Sequence, residues 1–166
     1  MTSHPGIVRT VTWNLFHGRD HPPDPALFTL PSRLLRRTER NQTHVQVNRP
    51  LRAEFVSVLD GVGWDVALLQ EAPPRWLPAL RQGCRSDGAL ALTSRNSLGW
   101  LRAAAAALNP DLIASGEGGS NMILVRAPGA VQATETVELA RAPERRTMLL
   151  ARLRLPTGER LCAACM

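Results

Sequence analysis

Between Ile7 and Asn14 the chain is β-branched and half-alternating. Ile7, Val11, Trp13 and Leu15 fall on one parity, and Val8, Thr10, Thr12 and Asn14 on the other. A period of two predicts a strand that starts after Pro5-Gly6 and ends at Asn14. From Leu51 the period lengthens. Leu51, Phe55, Val58, Leu59 and Val62 recur at helical spacing, with Pro50 suited to the first turn and Gly61 and Gly63 to the end. That helix is expected to face a sheet. Next comes Asp65-Val66-Ala67-Leu68-Leu69-Gln70-Glu71, an unbroken apolar run between polar ends, stopped by Pro73-Pro74. Such a run suits a strand covered on both faces, and it sets Glu71 at the strand's end.

Pro74–Leu80 predicts a short helix with Trp76, Leu77 and Leu80 inward, and Ala89–Thr93 a strand. Ser97 is placed to cap a helix over Leu98–Leu108, which Asn109-Pro110 stops. Gly116–Asn121 is glycine-rich but lacks the lysine and following helix of a phosphate-binding loop, so it reads as a turn. Strands are then predicted over Met122–Arg126, Val131–Leu139, Thr147–Leu155 and Leu161–Met166, the last two joined by a hairpin turn at Pro156–Glu159. Helices and strands alternate early and strand pairs follow. That order predicts one α/β domain over residues 1–166, a layered sandwich with mixed sheets.

Composition narrows the function classes. The 166 residues carry a net charge of +6, its positive side chains all arginine, which favours anionic partners. Three Phe, four Trp and no Tyr leave few stacking platforms, which disfavours a single-strand binder. No apolar run is long enough to span a membrane, and the first residues lack a signal-like pattern, so the expectation is cytoplasmic. Nothing marks an obligate protein partner. Cys162 and Cys165 form a CxxC with no second pair and no nearby His, which argues against zinc. They read as small buried strand residues that point to opposite faces. His17 and His21 around Asp20 lack helical spacing and read as a solvated loop. The basic stretch 24–49, with Arg33, Arg36, Arg37 and Arg40, reads as a solvated insertion able to meet an anion.

Three segments, in order, resemble the endonuclease/exonuclease/phosphatase superfamily. Thr12-Trp13-Asn14-Leu15 is similar to its opening strand ending in W-N. Asp65–Glu71 is similar to its D-hydrophobic-Q-E strand. Gly119-Ser120-Asn121-Met122-Ile123-Leu124-Val125-Arg126 is similar to its G-N-A-hydrophobic-L-S-R strand. The resemblance covers most of the chain, and the second motif is the most specific. It implies a four-layer α/β sandwich with two mixed β-sheets flanked by helices. It also implies hydrolysis of a phosphate ester, nucleic acid among the candidates, with Mg²⁺ or Mn²⁺. By the same resemblance Glu71 is a metal ligand, and Asn14 lines the site beside metal and phosphate; both count as catalytic. A hard cation held by carboxylate and amide oxygens neutralises charge developing on phosphate, and Mg²⁺ takes only one or two carboxylates.

The sequence also departs from that pattern. The family continues with a His, a G-D-x-N motif, a further Asp and a closing S-D-H, whereas here His4, His17, His21 and His44 all precede Glu71. The chain therefore reads as the first two-thirds of the fold. Read so, it is expected to be catalytically crippled and to expose an unpaired strand edge prone to aggregation. Two alternatives stand beside the hydrolase: a non-catalytic basic module that binds nucleic acid, and a nonfunctional truncated gene product.

Overall fold

The computed structural model describes residues 6–15, 18, 30–31, 51–93, 101, 104, 119–141 and 146–166. In chain order the elements are β1 (Thr10–Asn14), α1 (Arg52–Gly61), β2 (Val66–Ala72), a 3₁₀ turn (Pro74–Trp76) and α2 (Leu77–Gly83). They continue with β3 (Ser86–Leu92), β4 (Ser120–Arg126), β5 (Ala130–Ala140), β6 (Arg146–Arg154) and β7 (Arg160–Cys165). The expected helix over 98–108, the loop at His17–His21 and the basic stretch 24–49 lie almost entirely outside the described residues.

Four strands form a mixed sheet in the order β1-β2-β4-β3, in which only β1 and β2 run parallel. The other sheet, β5-β6-β7, was expected to be mixed; its three described strands are antiparallel. Among the described residues this makes three layers: α1 and α2, the four-stranded sheet, and the three-stranded sheet. Strand β2 explains why the layers hold. Ala67, Leu69 and Ala72 join the cluster under the helices, while Val66 and Leu68 pack between the sheets. The apolar run thus serves two cores at once, as expected of a strand covered on both faces. Strand β4 does the same, with Met122 and Leu124 on one side and Ile123 and Val125 on the other, all fully buried.

Helix α1 corrects one expectation. Leu59 is buried, and Leu51 and Phe55 pack on the cluster, but Val58 and Val62 are 50% and 44% exposed. Val56 takes their place against the core. The neighbour decides this, because Gly83 at the end of α2 leaves room into which Val56 fits. A Cβ at Gly83 would sit 2.2 Å from Val56 Cγ1. Trp76 and Leu80 are buried as expected, and Phe55 lies between Trp13 and Trp76 at centroid distances of 4.7 and 5.7 Å.

Gly18 governs how the chain leaves β1. Its φ is +69°, a region L side chains rarely adopt, and its amide donates to the Leu15 carbonyl at 2.8 Å. An added Cβ would stand 2.2 Å from the buried Trp76 ring. Gly18→Ala combines backbone strain with overpacking and is expected to cost about 2 kcal/mol. Denaturant unfolding would show this as a lower midpoint at unchanged slope.

Candidate metal and phosphate site

Parallel pairing of β1 and β2 brings the two expected site residues to one end of the mixed sheet. The register sets Asn14 beside Gln70, and the Leu15 amide donates to the Gln70 carbonyl at 2.9 Å. Glu71 is the next residue. Asn14 is exposed and Glu71 half-buried.

Glu71 is not an ordinary strand residue. Its φ is +49°, and the β2–β4 register slips between Leu69 and Ala72. In a regular strand, residues three apart face opposite sides. Here Leu69 and Ala72 lie in the same cluster, so Glu71 occupies the extra position of a bulge. The buried Ser120 hydroxyl donates to the Ala72 carbonyl at 2.8 Å and pins the strand just past it. A carboxylate residue held in left-handed backbone at a strand end is the kind of local strain that clusters at functional sites.

Further polar groups gather at this end; Gln70 and Asn121 lie within the quoted motifs but are not read there as site residues, and Thr147 is not singled out. Asn121 is buried and donates from Nδ2 to the Thr147 carbonyl at 2.8 Å. The Thr147 hydroxyl donates to the Leu92 carbonyl at 3.0 Å. Between the sheets, Gln70 Nε2 donates to Thr12 Oγ1 at 3.1 Å and reaches Cys165 Sγ at 3.5 Å. These bonds tie the start of β6 and the end of β7 to the same rim. Only strand pairing across 26 to 95 residues makes such neighbours visible.

Burial pushes the Cys84 and Cys165 thiols up, while Cys162 is exposed. The expectation of opposite faces holds for the CxxC, but only Cys165 is buried. Among the described residues no cluster of three His, Cys, Asp or Glu exists, and all four histidines lie outside them. The oxygen donors at the rim, one carboxylate and one carboxamide, suit a hard cation that keeps most of its waters rather than zinc.

A cleft of about 530 Å³ lies at the other end of the sheet, lined by Arg9, Asp60, Trp64, Asp65, Arg85 and Arg126 among others. Its polar groups serve structure. Arg126, the last residue of β4, donates from Nη1 to Asp60 Oδ1 at 2.7 Å and to the Cys84 carbonyl at 2.8 Å. Its Nη2 donates to the carbonyls of Leu59, Asp60 and Val62 at 3.0 to 3.2 Å, and the guanidinium lies 4.3 Å from the centre of the Trp64 ring. Those carbonyls end α1, which has no basic residue in its own last turn. Arg126 supplies that charge from the sheet.

The hydrogen bond from Arg126 holds the Asp60 carboxyl below its ordinary value of 3.8, with Arg85 adding to the effect and partial burial opposing it. The folded-state value is depressed, so the contribution to stability is in place above that ordinary value and is lost as pH falls through the folded-state value. Melts of the wild type are expected to fall more steeply below pH 3.8 than those of Asp60→Asn. Parallel pH profiles would remove this linkage.

The chain has the fold of the endonuclease/exonuclease/phosphatase superfamily. An endonuclease/exonuclease/phosphatase from Beutenbergia cavernae DSM 12333 superposes with a TM-score of 0.58 at 16% identity, over 95% of this chain and 37% of that one. A mannosyl-6-phosphatase from Bacteroides thetaiotaomicron VPI-5482 gives 0.52 at 10% identity, over 95% and 50%. A functionally unknown conserved protein from Enterococcus faecalis V583 gives 0.52 at 12%, over 94% and 51%. The chain thus spans between about a third and a half of the structures it resembles. No family model matches it, and no curated protein sequence does. No helix among the described residues is long and apolar enough to cross a membrane.

Proposed function

We propose that this chain carries the metal-binding part of a phosphate ester hydrolase site, with Glu71 as ligand to Mg²⁺ or Mn²⁺ and Asn14 beside metal and phosphate. The observation that carries the reading is the register of β1 and β2, which sets Asn14 next to Gln70-Glu71 at one end of the sheet. The bulge that holds Glu71 in left-handed backbone adds to it. Names of similar structures, an endonuclease/exonuclease/phosphatase and a mannosyl-6-phosphatase, support a phosphate ester as the substrate class.

When bound, the cation would neutralise charge that develops on phosphate oxygens. Glu71 supplies an anionic oxygen and Asn14 a neutral one, a sparse set that leaves positions for water and substrate. Ser120 and Gln70 orient these two residues through the backbone and the neighbouring strand rather than by touching the reacting atoms. The test is Mn²⁺ titration of the 166-residue chain, followed by spin resonance, alongside cleavage of a phosphate diester and a monoester with and without the metal. Saturable Mn²⁺ binding is expected, with cleavage weak in these residues alone because the His, G-D-x-N and S-D-H motifs of the family's pattern are not among them. A chain that neither binds the ion nor responds to it in either assay would overturn the reading.

A further inference from the structure

Among the described residues only Ser120, Asn121 and Thr147 are both polar and buried, at 0%, 4% and 2% exposure. All three gather at the Asn14–Glu71 end of the mixed sheet. The residues that follow them in β4, Met122 to Val125, are apolar, and polar side chains in such a core are costly unless each meets a partner. Each of the three does. The Ser120 hydroxyl donates to the Ala72 carbonyl at 2.8 Å, and Asn121 Nδ2 to the Thr147 carbonyl at 2.8 Å. The Thr147 hydroxyl donates to the Leu92 carbonyl at 3.0 Å.

These bonds form one path across both sheets. Leu92 is the ladder partner of Ser120 on β3, and Asn121 is its neighbour along β4. Thr147, near the start of β6, accepts from Asn121 through its carbonyl and donates to Leu92 through its hydroxyl. It therefore grips the two residues that flank Ser120. Ser120 in turn holds the carbonyl of Ala72, the residue that follows Glu71. Left-handed backbone at a residue other than glycine persists only where its surroundings over-determine it. Glu71, at φ +49°, is such a residue, and the slip in register beside it interrupts the regular ladder that would otherwise fix it.

We propose that Thr147 is a positioning residue for Glu71. The β5-β6-β7 sheet, which supplies neither Asn14 nor Glu71, sets the affinity of the metal site through Thr147, Asn121 and Ser120. The inference rests on Glu71 being the metal ligand. Thr147 touches neither cation nor substrate; it acts by holding the strand end that presents the carboxylate. Groups that contact a ligand directly tune metal affinity by roughly 10–100-fold. A path that runs through two further residues and the backbone is weaker, so a smaller loss is expected when it is cut.

The experiment is Mn²⁺ titration of the 166-residue chain followed by spin resonance, with circular dichroism to show that each variant compared is folded. Thr147→Val keeps the shape and removes only the hydroxyl, and is expected to weaken Mn²⁺ binding about threefold to tenfold. Thr147→Ser, which keeps the hydroxyl, should bind as the wild type does. Arg126→Ala separates positioning from stability, because Arg126 lies at the opposite end of β4 and its loss should destabilise the fold more. Its folded form is expected to keep wild-type affinity. If Thr147→Val does not fold, Ser120→Ala removes a single oxygen from the same path and should show the same loss. Wild-type affinity in the folded Thr147→Val or Ser120→Ala variant would overturn the proposal, and so would an equal loss in Arg126→Ala. A wild-type chain that binds no Mn²⁺ overturns the Glu71 reading and this inference with it. A wild type that binds, with path variants that bind equally well, overturns this inference alone.

Discussion

Arg126→Ala is expected to destabilise the fold by about 3 kcal/mol, the largest effect on stability of any single change considered. Three features set the size. The side chain is 18% exposed, so its ion pair with Asp60 is only partly screened. It donates to five acceptors, among them the carbonyls that end α1. It also packs on Trp64, whose own Nε1 donates to the Leu59 carbonyl at 2.7 Å. Removal leaves the exposed Asp60 carboxylate with only Arg85 at 3.7 Å and frees the end of α1 from β4. For a domain of this size the loss corresponds to a drop in melting temperature of roughly 6 to 12 °C. Arg126→Lys should recover part of it, since an ammonium replaces the charge but not the planar fork. Arg85→Ala provides the contrast. Its side chain is 79% exposed and 3.7 Å from Asp60, so a change within about 0.5 kcal/mol is expected. Equal effects of the two alanine variants would show that Arg126 is an ordinary surface charge.

Glu71→Gln is expected to have the largest effect on function, lowering Mn²⁺ affinity at least about tenfold by removing the one carboxylate at the site. Glutamine keeps size and polarity and removes only the negative charge, so the loss isolates the ligand role. Stability should move little or even rise, because the residue is half-buried and its backbone strain is the same in both. Asn14→Ala tests the neighbouring position in the same titration and should weaken binding less, since a neutral oxygen contributes less to a cation than a carboxylate. A Glu71→Gln variant that binds Mn²⁺ as the wild type does would take Glu71 out of the metal site.

The order of elements is legible in the sequence. Strands at the positions of β1, β2, β4, β5, β6 and β7 follow from period-two and buried-run patterns, and α1 from its 3.6 period. Boundaries were less accurate. Strand β3 starts at Ser86, ahead of the expected Ala89, because it pairs along its whole length with β4. Helix α1 turned its face toward Val56 because Gly83 on α2 made room there. A helical wheel contains no information about its neighbour's glycine.

The candidate site divides the same way. Local sequence sets Asn14 at the end of an alternating strand and Glu71 at the end of an apolar run closed by Pro73-Pro74, although β2 continues one residue further, to Ala72. Their adjacency depends on β1 and β2 pairing in parallel across more than fifty intervening residues, a register that no local pattern encodes. The bulge is a tertiary outcome too. Alternation alone would carry Ala72 to the face opposite Leu69, away from the helix-side cluster. Burying both against one core, and meeting Ser120 on β4, requires an extra residue, and the left-handed backbone falls on Glu71. Local patterning decides which residues end or line an element, since it reflects burial along one segment. Which of them meet is decided by the pairing of distant strands.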